Sequence, residues 1–239
     1  MISFLWRLWV YFNFIIWLLL IGPVVYVSIF ILPFSKTYKL IRIWAYLNFY
    51  LSGFSYTLQS EIQLNTNQQY ILISNHTSMI DILLMFILHP NHPIAFVGKK
   101  ELVKIPIFGA VYKKLCVMVD RESIKSKAKV YALSIKKIRE GRNLVIFPEG
   151  GVPDDTSLVL DKFKDGAFSI GIEANIPIVV YTFVGIKEQF PFDHFKGFPG
   201  TTNVFREEIL LTENNLPENK IILKETAFKL IYNRLNKLK

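Results

Sequence analysis

A histidine and an aspartate, His76 and Asp81, stand five positions apart and offer the clearest chemistry in this sequence. An imidazole titrates near physiological pH, so it can remove the proton from a hydroxyl group as the oxygen attacks a carbonyl carbon. A carboxylate is the usual group that orients such an imidazole and fixes its tautomer. Five residues of helix would rotate the two side chains roughly 140° apart, so His76 is predicted in a turn that precedes a helix.

The flanking residues predict the elements that position this pair. Residues 69–73 have the composition of a buried strand and residues 79–88 that of a helix, so the pair lies at a strand-to-helix junction. Ser78 and Asp81 also match a capping pattern, in which a serine begins the helix and an acid three residues later bonds back to the serine N–H. On these residues alone, the catalytic and the capping interpretations both remain open.

The first 60 residues are predicted to form membrane-embedding helices. No charged residue lies between Arg7 and Lys36, and residues 8–35 have the length and polarity of a membrane segment. Gly22-Pro23 divides this segment into halves that are each too short to cross a bilayer core, which leaves a kinked span and a re-entrant hairpin open. A signal peptide fits poorly, because the stretch is too long and no small-residue cleavage site follows. The basic residues after it predict a catalytic part on the cytoplasmic face of the cell (inner) membrane.

Two further segments have two interpretations each. Residues 38–58 carry apolar side chains at helical spacing behind basic residues, which is typical of an interfacial helix or of a core-facing helix. A loop with Phe190, Phe192, Phe195 and Phe198 can dip into the bilayer or pack on the sheet. The net charge of +9, beside an apolar anchor, favours an anionic lipid over nucleic acid as the partner.

The rest of the chain alternates between strand-like and helical patterns. Strands are predicted at residues 94–97, 115–119, 144–147, 178–184 and 209–211, and helices at residues 124–139, 167–174 and 218–238. This alternation predicts an α/β fold with a mixed, mainly parallel sheet flanked by helices, behind the N-terminal hydrophobic helical membrane anchor. We expect one α/β domain over residues 61–239, with its ligands near the carboxyl ends of the strands.

Charged residues and glycines follow several of these strands and are candidates for substrate binding. They are Lys99, Arg121 and the run Pro148, Glu149, Gly150 and Gly151. Glycine at a strand end lets the backbone approach a ligand closely, although ordinary turns also use it. An arginine and a lysine that converge on His76 would suit a phosphate-bearing hydroxyl substrate, because both side chains bind phosphate.

A series of short motifs runs through residues 70–185. The motifs are Asn75-His76-x4-Asp81, Gly98-Lys99-Lys100-Glu101-Leu102, Ile105-Pro106-x2-Gly109, Val119-Asp120-Arg121, Phe147-Pro148-Glu149-Gly150, Phe163-Lys164-x-Gly166-Ala167-Phe168 and Ile176-Pro177-Ile178-Val179. In order and spacing they resemble those of the glycerolipid acyltransferases that carry the HX4D motif. Within that family they look most like the bacterial 1-acyl-sn-glycerol-3-phosphate acyltransferases, which use lysophosphatidic acid. The resemblance favours the catalytic interpretation of His76 and Asp81 over capping alone.

The resemblance implies a reaction and a set of site residues. A fatty acyl group would pass from acyl-ACP or acyl-CoA to the sn-2 hydroxyl of 1-acyl-glycerol-3-phosphate, giving phosphatidic acid in phospholipid biosynthesis. His76 would be the general base and Asp81 its orienting carboxylate, without an acyl-enzyme. The substrate-binding positions would be Asn75, Ser78, Lys99, Arg121, Pro148, Glu149, Gly150 and Gly151. The implied partners are the lipid bilayer, a lysophospholipid acceptor and an acyl-carrier protein or coenzyme A thioester, and neither a metal nor a resident cofactor is implied.

The sequence departs from the family pattern at one place. The family commonly follows Glu-Gly with a small hydroxyl residue and then an arginine, whereas this chain continues Gly151-Val152-Pro153-Asp154. Either Lys162, Lys164 or Arg121 supplies the missing positive charge, or the acceptor carries a different head group. The alternative function is therefore O-acyl transfer to another lysolipid, either a lyso-aminolipid or another lysophospholipid.

Two other classes of protein make different predictions. A membrane-bound esterase would use the same histidine and aspartate on water and would need a serine nucleophile, but the sequence has no Gly-x-Ser-x-Gly elbow. A basic peripheral protein would bind anionic lipid or nucleic acid through its lysine-rich helices. This last class predicts that replacement of His76 leaves the function intact.

Overall fold

The computed structural model describes residues 2–119, 124–153, 155, 157–193, 195–209, 211 and 217–237. Its helices are α1 (Ile2–Ile31), α2 (Phe34–Leu51), α3 (Ile80–Leu88), α4 (Phe108–Leu115), α5 (Ile124–Arg139), α6 (Gly166–Ala174), α7 (Ile186–Gln189) and α8 (Pro217–Lys237). Its strands are β1 (Phe54–Ser60), β2 (Ile71–Ser74), β3 (Ile94–Lys99), β4 (Val117–Val119), β5 (Asn143–Ile146), β6 (Ile178–Val184) and β7 (Gly200–Ile209).

In the described part of the chain the strands form one seven-stranded sheet in the order β1-β7-β6-β2-β5-β3-β4. β6 and β7 pair antiparallel, and every other neighbouring pair is parallel. The predicted α/β fold with a mixed, mainly parallel sheet is therefore confirmed. The strands β2 to β6 all run in the same direction, so their carboxyl ends meet at one edge, which we call the carboxyl edge. β2 lies near the middle of the sheet and is buried along its length, as its continuous apolar run requires.

Alternate strand residues pack into two hydrophobic layers on opposite faces of the sheet. Leu72 and Val179 face the layer that contains α2 and α3. Ile71 and Val180 face the layer that contains α6 and α8. Burial of each large aliphatic side chain contributes about 1.5–3 kcal/mol, so the two layers together hold the central strands rigidly in register.

The N-terminal helix α1 runs without interruption through Gly22-Pro23, and the chain turns at Pro33 instead. Of the two alternatives, the re-entrant hairpin that turns at Gly22-Pro23 is therefore wrong, whereas a continuous helix is compatible with a kinked span. A proline removes one backbone hydrogen bond, but apolar membrane helices tolerate this loss when neighbouring groups compensate. With a rise of 1.5 Å per residue α1 is about 45 Å long. It is long enough and apolar enough to cross a membrane.

Only one side of α1 packs against the protein. Its buried residues are Arg7, Val10, Asn13, Val25, Ser28 and Ile29. On the opposite side Leu19 and Phe30 are 65% and 68% exposed. The Asn13 amide and the Ser28 hydroxyl donate to carbonyl oxygens of α1 itself, at 2.9 and 2.7 Å, so these polar groups need no water. The exposed side is an apolar surface that associates with a membrane.

The helix predicted over residues 38–58 is shorter than expected. It is observed as α2, which packs between α1 and α3 and ends at Leu51. Arg42 donates to the carbonyl oxygens of Phe86 and Ile87 at 2.9 and 3.3 Å, so it caps the last turn of α3. The residues that follow form β1, which pairs with β7 along its whole length. Residues 54–60 therefore belong to the sheet.

Two predicted strands begin or end elsewhere. The strand predicted over residues 115–119 starts at Val117, because Leu115 completes α4. Of the strand predicted at residues 209–211, only Ile209 is observed in a strand. It is the last residue of β7, which begins at Gly200. Residue 210 lies outside the described residues.

Candidate active site

The loop between β2 and α3 carries His76 at the carboxyl edge. β2 ends at Ser74, and α3 begins at Ile80, so His76 lies in the turn before the helix, where its spacing to Asp81 predicts it. Asp81 is in the first turn of α3, and its side chain is completely buried. A carboxylate at this position also interacts favourably with the positive end of the helix dipole.

Asp81 and His76 are hydrogen-bonded to each other. The His76 Nδ1 atom lies 3.0 Å from Asp81 Oδ2, and the same oxygen accepts the backbone N–H groups of Thr77 and Ser78 at 2.7 and 2.9 Å. Because Oδ2 already acts as an acceptor toward two backbone N–H groups, we assign the proton between the two side chains to Nδ1. This assignment leaves the lone pair on Nε2. Within the described residues no group hydrogen-bonds Nε2, and the His76 side chain is 16% exposed.

The imidazole ring also has an aromatic support. Phe147, which follows β5, stacks on His76 with ring centroids 4.0 Å apart and an interplanar angle of 14°. Phe96 of β3 lies behind Phe147, at a centroid distance of 6.2 Å. A contact of either ring with His76 was not predicted, and Phe147 had entered only as part of the motif Phe147-Pro148-Glu149-Gly150. The available signal was an aromatic residue at the end of a strand and directly before Pro148-Glu149.

Glu149 links the loop that carries His76 to a second loop, which contains Asp161. Its Oε1 atom accepts the backbone N–H of His76 at 2.7 Å, and its Oε2 atom accepts that of Asp161 at 2.9 Å. Burial raises the pKa of the Glu149 carboxyl, while the two N–H donors and His76 act in the opposite direction. Both oxygens are directed at the backbone, so Glu149 holds His76 in place through its main chain.

Asn75 and Ser78 have internal partners. The Asn75 side chain accepts the backbone N–H of Phe183 at 2.8 Å and donates to the carbonyl oxygen of the same residue at 2.9 Å. The Ser78 hydroxyl donates to the carbonyl oxygen of Phe190 at 2.8 Å and accepts the N–H of Ile80 at 3.3 Å. Both side chains are at most 1% exposed. These bonds fix the shape of the loop around His76, and the assignment of Asn75 and Ser78 to substrate binding stays a prediction.

The turn at Gly150 lies against the side chain of a lysine, Lys164. Gly150 has a φ of +83°, and a Cβ atom there would lie 2.8 and 2.9 Å from Cε and Cδ of Lys164 and still closer to its Nζ atom. Only glycine suits this backbone conformation and this approach. The Lys164 N–H donates to the carbonyl oxygen of Pro148 at 2.8 Å, and its exposed side chain makes no ion pair with any described residue. Gly151 follows in the same turn and is partly exposed.

The remaining predicted basic residues lie farther away or outside the described chain. Lys99 ends β3, is exposed, and lies at the same carboxyl edge. One strand, β5, separates β3 from β2, so the two backbones are about 10 Å apart. Arg121 lies outside the described residues. The structure thus brings Asp81 and Glu149 each into direct contact with His76.

The site contains the parts of a base-assisted transfer to a hydroxyl group. They are an oriented imidazole with an open Nε2, the Asp81 side chain behind it, and a lysine next to a glycine turn. Within the described residues no group of three or more His, Cys, Asp and Glu side chains could hold a metal ion. Cys116 is buried, and this burial raises the pKa of its thiol to about 12, so it is a poor nucleophile.

The chain is similar to known proteins over most of its sheet. Residues 56–184 match the sequence profile of a family described as Acyltransferase. A probable 1-acyl-sn-glycerol-3-phosphate acyltransferase of Mycoplasma genitalium is 27% identical over 156 residues, which cover 64% of this chain and 56% of the relative. The 1-acyl-sn-glycerol-3-phosphate acyltransferase of Helicobacter pylori is 28% identical over 152 residues, which cover 62% of this chain and 60% of the relative. The chain therefore spans little more than half the length of these curated relatives.

A solved structure extends the likeness to nearly the whole chain. The crystal structure of the 1-acyl-sn-glycerophosphate acyltransferase from Thermotoga maritima superposes with a TM-score of 0.78 at 20% sequence identity. The match covers 98% of this chain and 95% of the other. At this identity the likeness demonstrates a common fold, including the N-terminal helices.

Proposed function

The chain belongs to the acyltransferase family, and we propose that it transfers a fatty acyl group from a thioester to the sn-2 hydroxyl of 1-acyl-glycerol-3-phosphate. The observation that carries this proposal is the hydrogen bond of 3.0 Å between His76 Nδ1 and Asp81 Oδ2, which leaves Nε2 open to a substrate. The names of the curated relatives support the same reaction. The product would be phosphatidic acid, a precursor of membrane phospholipids.

In this proposal His76 Nε2 takes the hydroxyl proton as the acceptor oxygen attacks the thioester carbonyl carbon. A C–O bond forms, the C–S bond breaks, and the imidazolium returns its proton to the departing thiolate sulfur. Asp81 stabilises the imidazolium, and Phe147 keeps the ring from rotating. A base already held in its reactive orientation lowers the barrier, because little orientational entropy remains to be lost.

The acceptor phosphate needs a cation near the carboxyl edge. The family arginine after Glu-Gly is absent here, since Gly151 and Val152 follow Gly150. We propose that Lys164 takes its place, because its ammonium group lies against Gly150 and is free of ion pairs with the described residues. Lys99 is a second candidate at the same edge. The absence of the arginine also favours a second function, acyl transfer to another lysolipid with a different head group.

The membrane organisation of the protein follows from its two parts. The apolar helix α1 associates with the membrane. We propose that residues 2–51 form the membrane-embedding part and that residues from β1 onward form the catalytic domain, because β1 pairs within the sheet. The basic residues after α1 support a cytoplasmic location of this domain. The donor would then be an acyl-carrier protein or coenzyme A thioester.

A direct assay of acyl transfer tests this proposal. Purified protein in lipid vesicles would receive a labelled acyl thioester with lysophosphatidate, or with uncharged or amino-headed lyso acceptors. We expect phosphatidate from the wild type and none from His76→Ala. The control is His92→Ala, because the His92 ring is at the surface and, among the described residues, is hydrogen-bonded only to the carbonyl oxygen of Asn65. Transfer that depends on His76 but occurs only with another acceptor would establish the second function, and activity that survives His76→Ala would remove the proposed base.

A further inference from the structure

The loop between α7 and β7 exposes aromatic side chains. We call its described residues, 190–193 and 195–198, the aromatic loop. Phe190 is buried, but Phe192, Phe195 and Phe198 are 50%, 75% and 53% exposed. A group of exposed large apolar side chains on one loop marks a surface that meets an apolar partner. Of the two interpretations from the sequence, packing on the sheet therefore holds for Phe190 alone.

The aromatic loop has a defined backbone that holds these rings outward. The Asp193 carboxylate accepts the N–H of Phe195 at 3.0 Å, and its carbonyl oxygen accepts that of Lys196 at 3.1 Å. The N–H of Phe198 donates to the carbonyl oxygen of Gln189 at 3.0 Å. Because these hydrogen bonds hold the backbone of the aromatic loop in one conformation, the side chains of Phe192, Phe195 and Phe198 are exposed in the folded protein.

A buried arginine ties the aromatic loop to α1. Arg7 is the only charged residue of α1, and it is 1% exposed. Its guanidinium group donates to the carbonyl oxygens of Pro191 and Lys196 and lies 4.4 Å from the centre of the Phe190 ring. A buried charge is costly unless it is hydrogen-bonded, so these contacts hold the loop at the N-terminal end of α1.

The exposed rings extend the apolar surface of α1. Phe195 stacks on Phe4 with ring centroids 6.2 Å apart, and the adjacent Leu5 of α1 is 57% exposed. The side chain of Lys196, on the same loop, is 77% exposed. Aromatic rings beside a basic residue are the composition found at the boundary between the hydrocarbon core and the head groups. Because the exposed rings and α1 form one continuous apolar surface, we expect the aromatic loop to contact the same partner as α1, the membrane.

We propose that the aromatic loop is a second lipid-contacting element, inserted into the bilayer interface beside the N-terminal end of α1. The loop also contacts the candidate active site, because the Phe190 carbonyl oxygen accepts the Ser78 hydroxyl at 2.8 Å. Ser78 in turn donates its N–H to Asp81. The insertion would therefore set the distance and the tilt of His76 relative to the membrane surface. This inference does not depend on which lysolipid is acylated.

Site-specific fluorescence in vesicles tests the insertion. The single cysteine, Cys116, is buried, so a Cys116→Ala background permits one label at a time. An environment-sensitive fluorophore would be attached at Phe195→Cys in the full chain, reconstituted into phosphatidylcholine and phosphatidylglycerol vesicles with spin-labelled lipids. Two matched positions provide controls. Leu19→Cys lies on the exposed side of α1, and Glu173→Cys lies on the exposed side of α6, in the layer on the other face of the sheet.

We expect the label at position 195 to shift to the blue and to lose emission with a spin label placed near the head groups. The label at position 19 should respond as well, and more strongly to a spin label deep in the chain region. The label at position 173 should respond to neither. No quenching at position 195 beside full quenching at position 19 would overturn the proposal. A blue shift at position 195 that depends on protein concentration but not on the quencher would indicate a second copy of the chain, and it would overturn the proposal as well.

Discussion

Asp81 uses one carboxylate oxygen, Oδ2, both to bind His76 Nδ1 at 3.0 Å and to accept the backbone N–H groups that precede α3. The capping and catalytic interpretations of the sequence are therefore not alternatives. The cap places the carboxylate, and the carboxylate places the imidazole. Because both depend on one atom, a change at position 81 has a structural and a chemical effect that experiments can separate.

Asp81→Asn keeps the side-chain shape and an oxygen that can accept the backbone N–H groups. The variant loses the negative charge that stabilises an imidazolium. We expect kcat for acyl transfer to fall by roughly 10²–10⁴-fold with little change in the KM for the acceptor. Asp81→Ala should in addition lower the free energy of unfolding by about 1–2 kcal/mol, because the cap is lost.

Steady-state kinetics and thermal unfolding of the Asp81 variants check both effects. The control is Glu173→Gln, which also replaces a carboxylate by an amide but at an exposed position in α6. It should change neither kcat nor the free energy of unfolding. Wild-type kcat in Asp81→Asn would show that the charge is not needed and would leave Asp81 with the capping role alone.

Glu149→Gln tests whether this residue holds His76 or binds substrate. A glutamine has one acceptor oxygen and would turn its NH2 group toward one of the two N–H donors, of His76 or Asp161. A buried donor without an acceptor costs about 1–3 kcal/mol of stability. We expect kcat to fall, because the main chain of His76 shifts, while the KM for the acceptor stays nearly constant. A rise in KM at unchanged kcat and unchanged stability would instead assign Glu149 to substrate binding.

The sheet and its central crossover could be predicted from the sequence because their signals are local. β2 and α3 are continuous apolar segments separated by polar turn residues, and each is recognised from its own composition. β1 was missed because it is an edge strand with mostly exposed side chains, and its partner β7 lies 146 residues away. The pattern of α2 also continued without a break into β1, so the end of the helix at Leu51 gave no signal.

In the candidate site, too, the features set by neighbouring residues could be predicted, whereas the contacts between residues distant in sequence could not. The spacing of His76 and Asp81 sufficed to locate the pair, because the strand-to-helix turn fixes it. The sequence could not reveal that Asn75 and Ser78 are bonded to Phe183 and Phe190, since these partners are more than a hundred positions away. Side chains that are chemically able to bind a ligand are here used to shape the loop. Which polar side-chain atoms remain free to bind a ligand depends on contacts that only the folded chain makes.

Lys164→Met tests the cation that we propose for the missing arginine. The substitution keeps an unbranched stem against Gly150 and removes the charge. A hydrogen bond to a charged group is worth about 1.5–3 kcal/mol, so kcat/KM for lysophosphatidate should fall roughly 10- to 100-fold. With an uncharged lyso acceptor the two proteins should differ little.

Lys162→Met is the matched control, because this exposed lysine lies two positions away and, among the described residues, only its backbone N–H is hydrogen-bonded, to the Asp161 carboxylate. It should behave as the wild type. A loss in Lys162→Met alone would assign the charge to Lys162 instead, and equal losses in both lysine variants would indicate a general effect of positive charge. No loss in either variant would direct attention to Lys99 or Arg121.

His89, at the carboxyl end of α3, should make the fold sensitive to acid. Burial, and to a smaller extent the charges of His92, Arg206 and Arg42, lowers the pKa of this imidazole from 6.5 to about 3. Neither ring nitrogen has a hydrogen-bond partner within the described residues. The folded state therefore keeps His89 neutral, while the unfolded chain takes up a proton as the pH falls through 6.5.

The contribution of His89 to stability is thus fully present above pH 6.5 and is lost progressively below it. Between pH 6.5 and about pH 3 the free energy of unfolding falls by about 1.4 kcal/mol for each pH unit, which amounts to about 2 kcal/mol between pH 6.5 and pH 5. His89→Leu removes the titrating group together with its unpaired ring N–H, so its unfolding free energy should decline less steeply with acid than that of the wild type. Denaturant unfolding at a series of pH values, in the same detergent or lipid, measures the difference. His92→Leu, at the surface, should retain the wild-type slope, and a wild-type slope in His89→Leu would mean that another group causes the acid sensitivity.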